Sequence, residues 1–189
     1  MIFLGGVHGV GKSSMCAEAA QVIGLTVFGA SAIIRAERQV PSIDSRTAVS
    51  NVAGNQELLI QGVRKRVPKS SGHFVLDGHF ALRTLDGAIE RIDPAVFLTL
   101  GIDHFICIQD HPRAIAARLL ERDGAMHAVD EIAALQSAEL DHAAYVSREL
   151  KIRLDVLQAF DRDGFEACLH HSASNYRVAN QEQSGTDPN

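Results

Sequence analysis

One short segment near the start of the sequence constrains the fold more than any other: Gly-Gly-Val-His-Gly-Val-Gly-Lys-Ser at residues 5–13. It follows an apolar run at residues 2–4 that is typical of a buried strand, and it precedes helical character over residues 12–23. Between a strand and a helix, this glycine spacing followed by Lys-Ser matches the Walker A pattern of phosphate-binding loops in full. The segment therefore predicts binding of a nucleoside triphosphate.

Each residue type in this segment has a chemical reason. Glycines let the backbone wrap around phosphate with its N–H groups pointing inward, and the following helix adds the positive end of its dipole. Lys12 is placed to reach the β- and γ-phosphates, and the Ser13 hydroxyl to ligate Mg²⁺. We expect ATP as a substrate and Mg²⁺ as a cofactor. The predicted ATP-binding residues of the segment are Gly6, Val7, His8, Gly9, Val10, Gly11, Lys12, Ser13 and Ser14.

Short apolar runs alternate with helical patterns along the rest of the chain. Five strands are predicted, at residues 2–4, 25–28, 74–76, 105–108 and 152–156. Strands that alternate with helices form right-handed crossovers and a parallel sheet that is covered on both faces. From the length of 189 residues we predict one α/β domain over residues 1–176 and a polar, disordered tail over residues 177–189.

Composition narrows the class of partner. Eighteen Lys and Arg against 23 Asp and Glu give a net charge of −5, which argues against nucleic acid or an anionic membrane as the main partner. Cys16, Cys107 and Cys168 are odd in number and far apart, so reduced thiols are expected rather than disulfides or a zinc site. Because no run of about 18 apolar residues and no secretory signal occurs, we expect a cytoplasmic protein with nucleotide substrates.

Ligands of open parallel sheets bind at the carboxyl ends of the strands. After the second predicted strand, Ser31 and Arg35 fall in the first turns of a helix at this edge. His79 follows the third strand in the sequence Asp-Gly-His, and Gln56 opens the helix predicted over residues 56–67.

Charged residues near the strand ends supply the candidates for catalysis. Asp77 ends the third strand, where a carboxylate organises Mg²⁺ together with Ser13. Arg118 and Arg122 are four residues apart, so both side chains project from one helix face, and Arg118 is also expected to contact ATP. Transfer to a phosphate acceptor requires positioning and charge neutralisation rather than a general base. We therefore predict catalytic roles for Lys12, Asp77, Arg118 and Arg122.

These segments together resemble the adenylate kinases and the wider nucleoside monophosphate kinase family, and they are closest to the archaeal-type adenylate kinases. The similar motifs are Ser-Ala-Ile-Ile-Arg-Ala-Glu at 31–37, Asp-Gly-His-Phe-Ala-Leu-Arg at 77–83 and Arg-Leu-Leu-Glu-Arg-Asp at 118–123. The resemblance implies a three-layer α/β/α P-loop sandwich whose five parallel strands follow the order 2-3-1-4-5. It further implies an acceptor-binding insertion at about 30–67, a short lid at about 123–129, and transfer of the γ-phosphoryl of ATP to AMP or another nucleoside monophosphate. With this resemblance, the candidate acceptor-binding residues are Ser31, Arg35, His79 and, as a reader of the acceptor base, Gln56.

Two other functions stay open. A P-loop kinase of small metabolites would use Asp77 as the base toward a hydroxyl group. A nucleotide-dependent regulatory ATPase would instead hydrolyse ATP slowly to control a partner. No acidic residue follows the second predicted strand, since Ala30 and Ser31 stand where kinases of hydroxyl groups, such as the shikimate kinases, carry an Asp.

Overall fold

Strands and helices alternate over the part of the chain that the computed structural model describes, which is residues 1–38, 48–49, 52–67 and 74–171. The strands are β1 (Ile2–Gly5), β2 (Thr26–Gly29), β3 (Ala48–Val49), β4 (Phe74–Asp77), β5 (Ala81–Thr84), β6 (Ile89–Arg91), β7 (His104–Gln109) and β8 (Arg153–Gln158). The helices are α1 (Lys12–Ile23), α2 (Ala30–Arg38), α3 (Val52–Arg66), α4 (Pro94–Thr99), α5 (Pro112–Asp123), α6 (Val129–Leu150) and α7, at residues 162–171.

The main sheet has five parallel strands in the order β2-β4-β1-β7-β8. Counting only the five strands predicted from the sequence, this order is 2-3-1-4-5, as the family resemblance implied. Asp77 lies beside Leu4 on β1 and beside Gly29 on β2, so the ends of three strands meet at one point. The predicted fold class, a P-loop α/β/α sandwich, is confirmed.

Alternation of side chains along the strands divides the core into two clusters. Phe3 and Phe105 face one side of the sheet, while Leu4 and Ile106 face the other. The first cluster packs against residues of α2, α3, α4 and α6, and the second against residues of α1, α5 and α7. A parallel sheet between two helical layers requires strands that are apolar on both faces, and these strands are.

A second, three-stranded sheet in the order β3-β5-β6 was not predicted. Its strands are only two to four residues long, and β5 occupies part of the 77–83 segment that the sequence analysis treated as site residues. Strands this short lack enough residues to show a period of two, so tertiary packing decides them. The helix predicted from Gln56 begins earlier, at Val52, because the Val52 side chain is buried in the core.

The acceptor-binding insertion and the lid, which the family resemblance implies, stay predictions. The insertion at 30–67 contains α2 and α3, which an ion-pair cluster joins: both Lys65 and Arg66 of α3 donate to Glu37 of α2. The lid corresponds to the connection at 124–128, between the end of α5 and the start of α6. The predicted tail at 177–189 lies outside the described residues. Among those that are described, no helix is long and apolar enough to cross a bilayer.

Candidate nucleotide-binding site

The glycine-rich loop joins β1 to α1 and has the backbone that its sequence predicts. Gly6, Gly9 and Gly11 all have positive φ values, of 133°, 77° and 114°. At Gly6 a side chain is also excluded by space, because a Cβ atom would lie 2.6 Å from the carbonyl oxygen of Ile108. The loop therefore needs glycine to curl tightly over the ends of β1 and β7.

Lys12 is the first residue of α1, directly after the loop, and it is buried, with a relative exposure of 7%. Its Nζ donates to the carbonyl oxygen of Gly6 and lies 3.6 Å from Oδ1 of Asp77. Burial raises the pKa of Asp77, and the charge on Lys12 opposes that rise. A buried ammonium group beside a half-buried carboxylate gives the loop a positive and a negative group at the same strand ends.

His8 of the loop packs against His79, which follows β4. Their ring centroids lie 4.4 Å apart. The neighbouring His79, burial and the charge on Lys12 together lower the pKa of His8 to about 2, and burial lowers the pKa of His79 well below its usual value. Both imidazoles are therefore neutral at pH 7. Through its contact with His8, the His79 ring lies directly against the phosphate loop.

Glu139 of α6 lies beneath this pair and is fully buried. Its Oε1 is 2.8 Å from Nδ1 of His79, and its Oε2 accepts hydrogen bonds from the backbone N–H groups of Phe80 and Ala81. Burial raises the pKa of Glu139 to about 7, against the opposing effects of Lys12 and of these N–H groups. The sequence analysis missed Glu139, because it lies far along the chain in a helix with many acidic residues.

Arg118 of α5 reaches the loop from its other side. Its Nε donates to the carbonyl oxygen of Gly9 over 2.8 Å, and its NH2 group donates to Oδ2 of Asp110. Its guanidinium also lies 5.2 Å from the ring centroid of Phe160, which is within cation–π distance. Arg122, predicted to act with Arg118, is exposed and donates to both carboxylate oxygens of Asp123.

Phe160 is a second residue that sequence analysis missed. It lies in the turn between β8 and α7 with a φ of 65°, a conformation that costs an aromatic residue about 1 kcal/mol or more. Its ring is 45% exposed, and a Cβ atom at Gly11 would lie 3.0 Å from it. A strained, half-exposed aromatic ring beside the phosphate loop is a surface on which a flat base can stack.

The predicted acceptor residues lie on elements next to these strand ends. Ser31 and Arg35 are exposed on α2, which begins directly after Gly29, the partner of Asp77 in the sheet. Gln56 is half-buried in α3, which packs on α2. The structure thus places Ser31 and Arg35 on the helix that begins beside Asp77 and Gln56 on the helix packed against it, while an acceptor-binding role for them stays a prediction.

The oxygen atoms present suit the magnesium ion that a Walker A loop implies. Ser13 is exposed in the first turn of α1, and Asp77 ends the neighbouring strand β4. Hydroxyl and carboxylate oxygens are ligands that Mg²⁺ takes while it keeps several of its waters. The residues therefore fit this cofactor.

A separate group of potential metal ligands lies near the opposite end of the sheet. The potential ligand atoms of this group lie within 4.8 Å of one another and belong to His104, Asp155 and Cys168. It is the one such group among the described residues. However, Arg153 donates to both carboxylate oxygens of Asp155, over 2.7 and 2.9 Å, and His104 Nε2 lies 2.6 Å from the same carboxylate. We interpret the group as an ion pair that joins β7 and β8, because a cation would have to replace Arg153.

A glycine-rich loop between β1 and α1, on a parallel sheet ordered as described above, defines a P-loop protein of the kinase-like α/β/α class. The chain belongs to the AAA_17 family, described as an AAA domain, whose sequence profile matches residues 5–136. No curated protein matches the sequence significantly.

Solved structures show the same fold at low sequence identity. A gluconokinase from Sinorhizobium meliloti 1021 is similar with a TM-score of 0.54 and 15% identity, over 94% of this chain and 95% of that one. A shikimate kinase from Bacteroides thetaiotaomicron has a TM-score of 0.53 and 17% identity, over 93% and 97%. An uncharacterized protein from Eubacterium ventriosum ATCC 27560 has a TM-score of 0.50 and 12% identity, over 92% and 97%. These similarities establish the P-loop kinase fold and leave the substrate open.

Proposed function

We propose that the protein is a Mg²⁺-dependent phosphotransferase that moves the γ-phosphoryl group of ATP to a nucleoside monophosphate, with AMP as the first acceptor to test. The observation that carries this proposal is the pairing of Lys12 and Asp77, whose Nζ and Oδ1 atoms lie 3.6 Å apart at the ends of neighbouring structural elements. Helix α2 begins beside them, after Gly29. A donor bound by the loop and an acceptor bound by α2 would meet at this edge of the sheet.

Charge on the acceptor side favours an acceptor that is itself a phosphate. Arg35 has no acidic partner among the described residues, whereas its helix neighbour Arg38 donates to Oδ1 of Asn55. No acid follows β2, where Ala30 and Ser31 begin α2. Because a phosphate acceptor is already an anion, a cation without a base is what its transfer reaction needs. The assignment of Arg35 to the acceptor phosphate is part of the proposal.

On the donor side, each part of ATP has a group of matching chemistry. Backbone N–H groups of the loop and the Lys12 ammonium would hold the phosphates, and the Phe160 ring with the Arg118 guanidinium would hold the base by stacking. When bound to Ser13 and Asp77, Mg²⁺ would neutralise charge on the β- and γ-phosphates. Closure of the 124–128 connection over the site would exclude water, which would otherwise accept the phosphoryl group.

A second candidate is transfer to a hydroxyl group of a small metabolite. The observation that favours it is Asp77, a half-buried carboxylate whose pKa is raised by its partial burial and which lies beside Lys12 at the ends of the strands. A carboxylate so placed would accept the hydroxyl proton as a general base. Two proteins that share the fold are named as a gluconokinase and a shikimate kinase.

An acceptor assay separates these functions. We expect reversible formation of ADP from ATP and Mg²⁺ that depends on AMP or another nucleoside monophosphate, measured by coupling ADP to NADH oxidation. Turnover only with gluconate, shikimate or another hydroxylated metabolite would overturn the phosphate acceptor in favour of the second candidate. Slow phosphate release that no acceptor changes would overturn both and indicate a regulatory ATPase.

Replacement of Lys12 tests the loop in that assay. Lys12→Ala removes the cation that stabilises charge on the transferred group, so we expect turnover to fall by at least about 100-fold. Lys65→Ala is the matched control, because the Lys65 side chain is 64% exposed on α3 and forms an ion pair with Glu37 of α2. Unfolding temperatures of both variants separate lost activity from lost stability. Near-normal turnover by Lys12→Ala would remove the loop from the mechanism.

A further inference from the structure

Helix α6 carries an unusual number of buried polar side chains. Of the five polar or charged residues that are buried in the described part of the chain, three lie on α6: Gln136, Glu139 and His142. They are three residues apart, so they follow one slowly turning stripe of the helix. Each contacts the backbone of a different connection in the core, and burying polar groups is costly unless they make such contacts.

Two of these side chains support the phosphate loop from opposite sides. Glu139 reaches the loop through His79, whose ring packs against the His8 ring. Gln136 accepts from the Asp110 backbone N–H over 3.0 Å and donates to the Asp110 carbonyl over 2.9 Å.

The contact of Gln136 continues to the loop through a side chain of α5. Asp110 accepts a hydrogen bond from Arg118, which in turn donates to the carbonyl oxygen of Gly9. This chain of contacts therefore runs from α6 to Gly9, while the chain from Glu139 through His79 ends at His8. Two adjacent loop residues are thus held from a single helix.

We propose that Glu139 is a positioning residue for nucleotide binding, which holds His79 against His8 and fixes the phosphate loop to the connection between β4 and β5. This inference rests on the nucleotide-binding part of the proposed function. Glu139 is fully buried and contacts the ring of His79, so it would act through that ring rather than on the nucleotide itself. It sets the conformation in which the loop N–H groups are oriented before the nucleotide arrives, which reduces the ordering that binding requires.

Loss of the Glu139 carboxylate should disturb the position of the loop, because this carboxylate contacts both His79 and the backbone that follows it. Alanine at position 139 would leave the buried N–H groups of Phe80 and Ala81 without their acceptor and would release the His79 ring. Glutamine has nearly the same volume, keeps an oxygen as acceptor for the N–H groups and offers an amide group to Nδ1 of His79. The glutamine variant should therefore retain most of the positioning.

The experiment measures the dissociation constant of MgADP by titration calorimetry, at a temperature well below unfolding, together with the unfolding temperature without ligand. We expect Glu139→Ala to weaken MgADP binding at least tenfold and Glu139→Gln to stay within about threefold of the wild type. His142→Ala is the matched control, because His142 is equally buried on α6 but contacts the carbonyl oxygen of Ile92, over 2.6 Å, away from the loop. It should lower the unfolding temperature and change the affinity less than twofold.

Equal affinity losses in Glu139→Ala and His142→Ala, or an unchanged affinity in Glu139→Ala, would overturn the inference while the proposed function stands. If Glu139→Ala does not fold, His79→Ala tests the same contact from a less buried position, and unchanged MgADP affinity there would overturn it as well. Failure of the wild-type protein to bind MgADP would instead overturn the proposed function, and this inference with it.

Discussion

Among single side chains, Lys12 and Asp77 show how burial and charge are balanced at the site. Each would be costly to bury alone, but their charged atoms are 3.6 Å apart, and Lys12 also donates to the Gly6 carbonyl oxygen. Arg35 differs from both, because it is exposed and lacks an acidic partner among the described residues. An exposed cation on the helix that begins beside Asp77 is available to an incoming anion, so replacing Arg35 tests acceptor binding separately from donor binding.

We expect Arg35→Ala to raise the KM for the acceptor by about tenfold or more while the KM for ATP changes little, because a charge-assisted hydrogen bond contributes about 1.5–3 kcal/mol. Initial rates with each substrate varied in turn give both constants. Arg38→Ala serves as the control: Arg38 lies on the same helix but is bonded to Asn55, so neither constant should rise as far. Equal increases in both KM values would show that Arg35 does not bind the acceptor.

Among the structural elements, the turn between β8 and α7 brings to the site a side chain that no sequence motif predicts. Its Phe160 combines a left-handed backbone, a half-exposed ring and contact with both the Arg118 guanidinium and the loop at Gly11. Since stacking on an aromatic ring contributes about 1–3 kcal/mol per base, we expect Phe160→Ala to weaken MgADP binding about tenfold. Calorimetry measures this loss, and the unfolding temperature should change little.

The control for this turn is Tyr145→Ala. Tyr145 is 44% exposed, almost the same as Phe160, but lies on α6 and stacks against His142. Loss of a comparable aromatic surface there should leave MgADP affinity unchanged. If both variants bind MgADP as the wild type does, the base is held elsewhere and the proposed role of Phe160 is wrong.

Elements with a clear local signal were predictable from the sequence, and those defined by tertiary contacts were not. The loop glycines and the five core strands have patterns that the backbone geometry demands, so these elements were predicted from the residues, while the order of the strands in the sheet came from the family resemblance. Phe160 carries no such pattern, since its importance depends on a turn conformation. Glu139 did leave a faint signal: it occupies an apolar position of α6, in phase with Ile132, Ala143 and Val146, which are all buried.

For the molecule as a whole, the buried titratable groups around the loop set how stability depends on pH. His8 and His79 have pKa values below that of an unfolded histidine, about 6.5, so the unfolded chain binds more protons at these sites below that pH. Glu139 has the opposite sign: its pKa is raised to about 7, so its contribution to stability falls as the pH rises from about 4.5 to 7. Between pH 4.5 and 6.5, the protons that the unfolded chain gains at the two histidines outnumber the one proton that the folded chain gains at Glu139.

We therefore expect the free energy of unfolding to fall as the pH is lowered from 6.5 to 5, with a slope that approaches about 1.4 kcal/mol per pH unit for the net proton, and to be at its maximum near pH 7 for these three groups. Urea unfolding followed by circular dichroism at pH 5, 6.5 and 8 measures it. His8→Asn removes one of the two histidines and should flatten the profile between pH 5 and 6.5, whereas His171→Asn, at an exposed position, should leave it unchanged. Parallel profiles for His8→Asn and the wild type would mean that His8 does not stay neutral in the folded protein, and that the loop is more open to water than its packing against His79 implies.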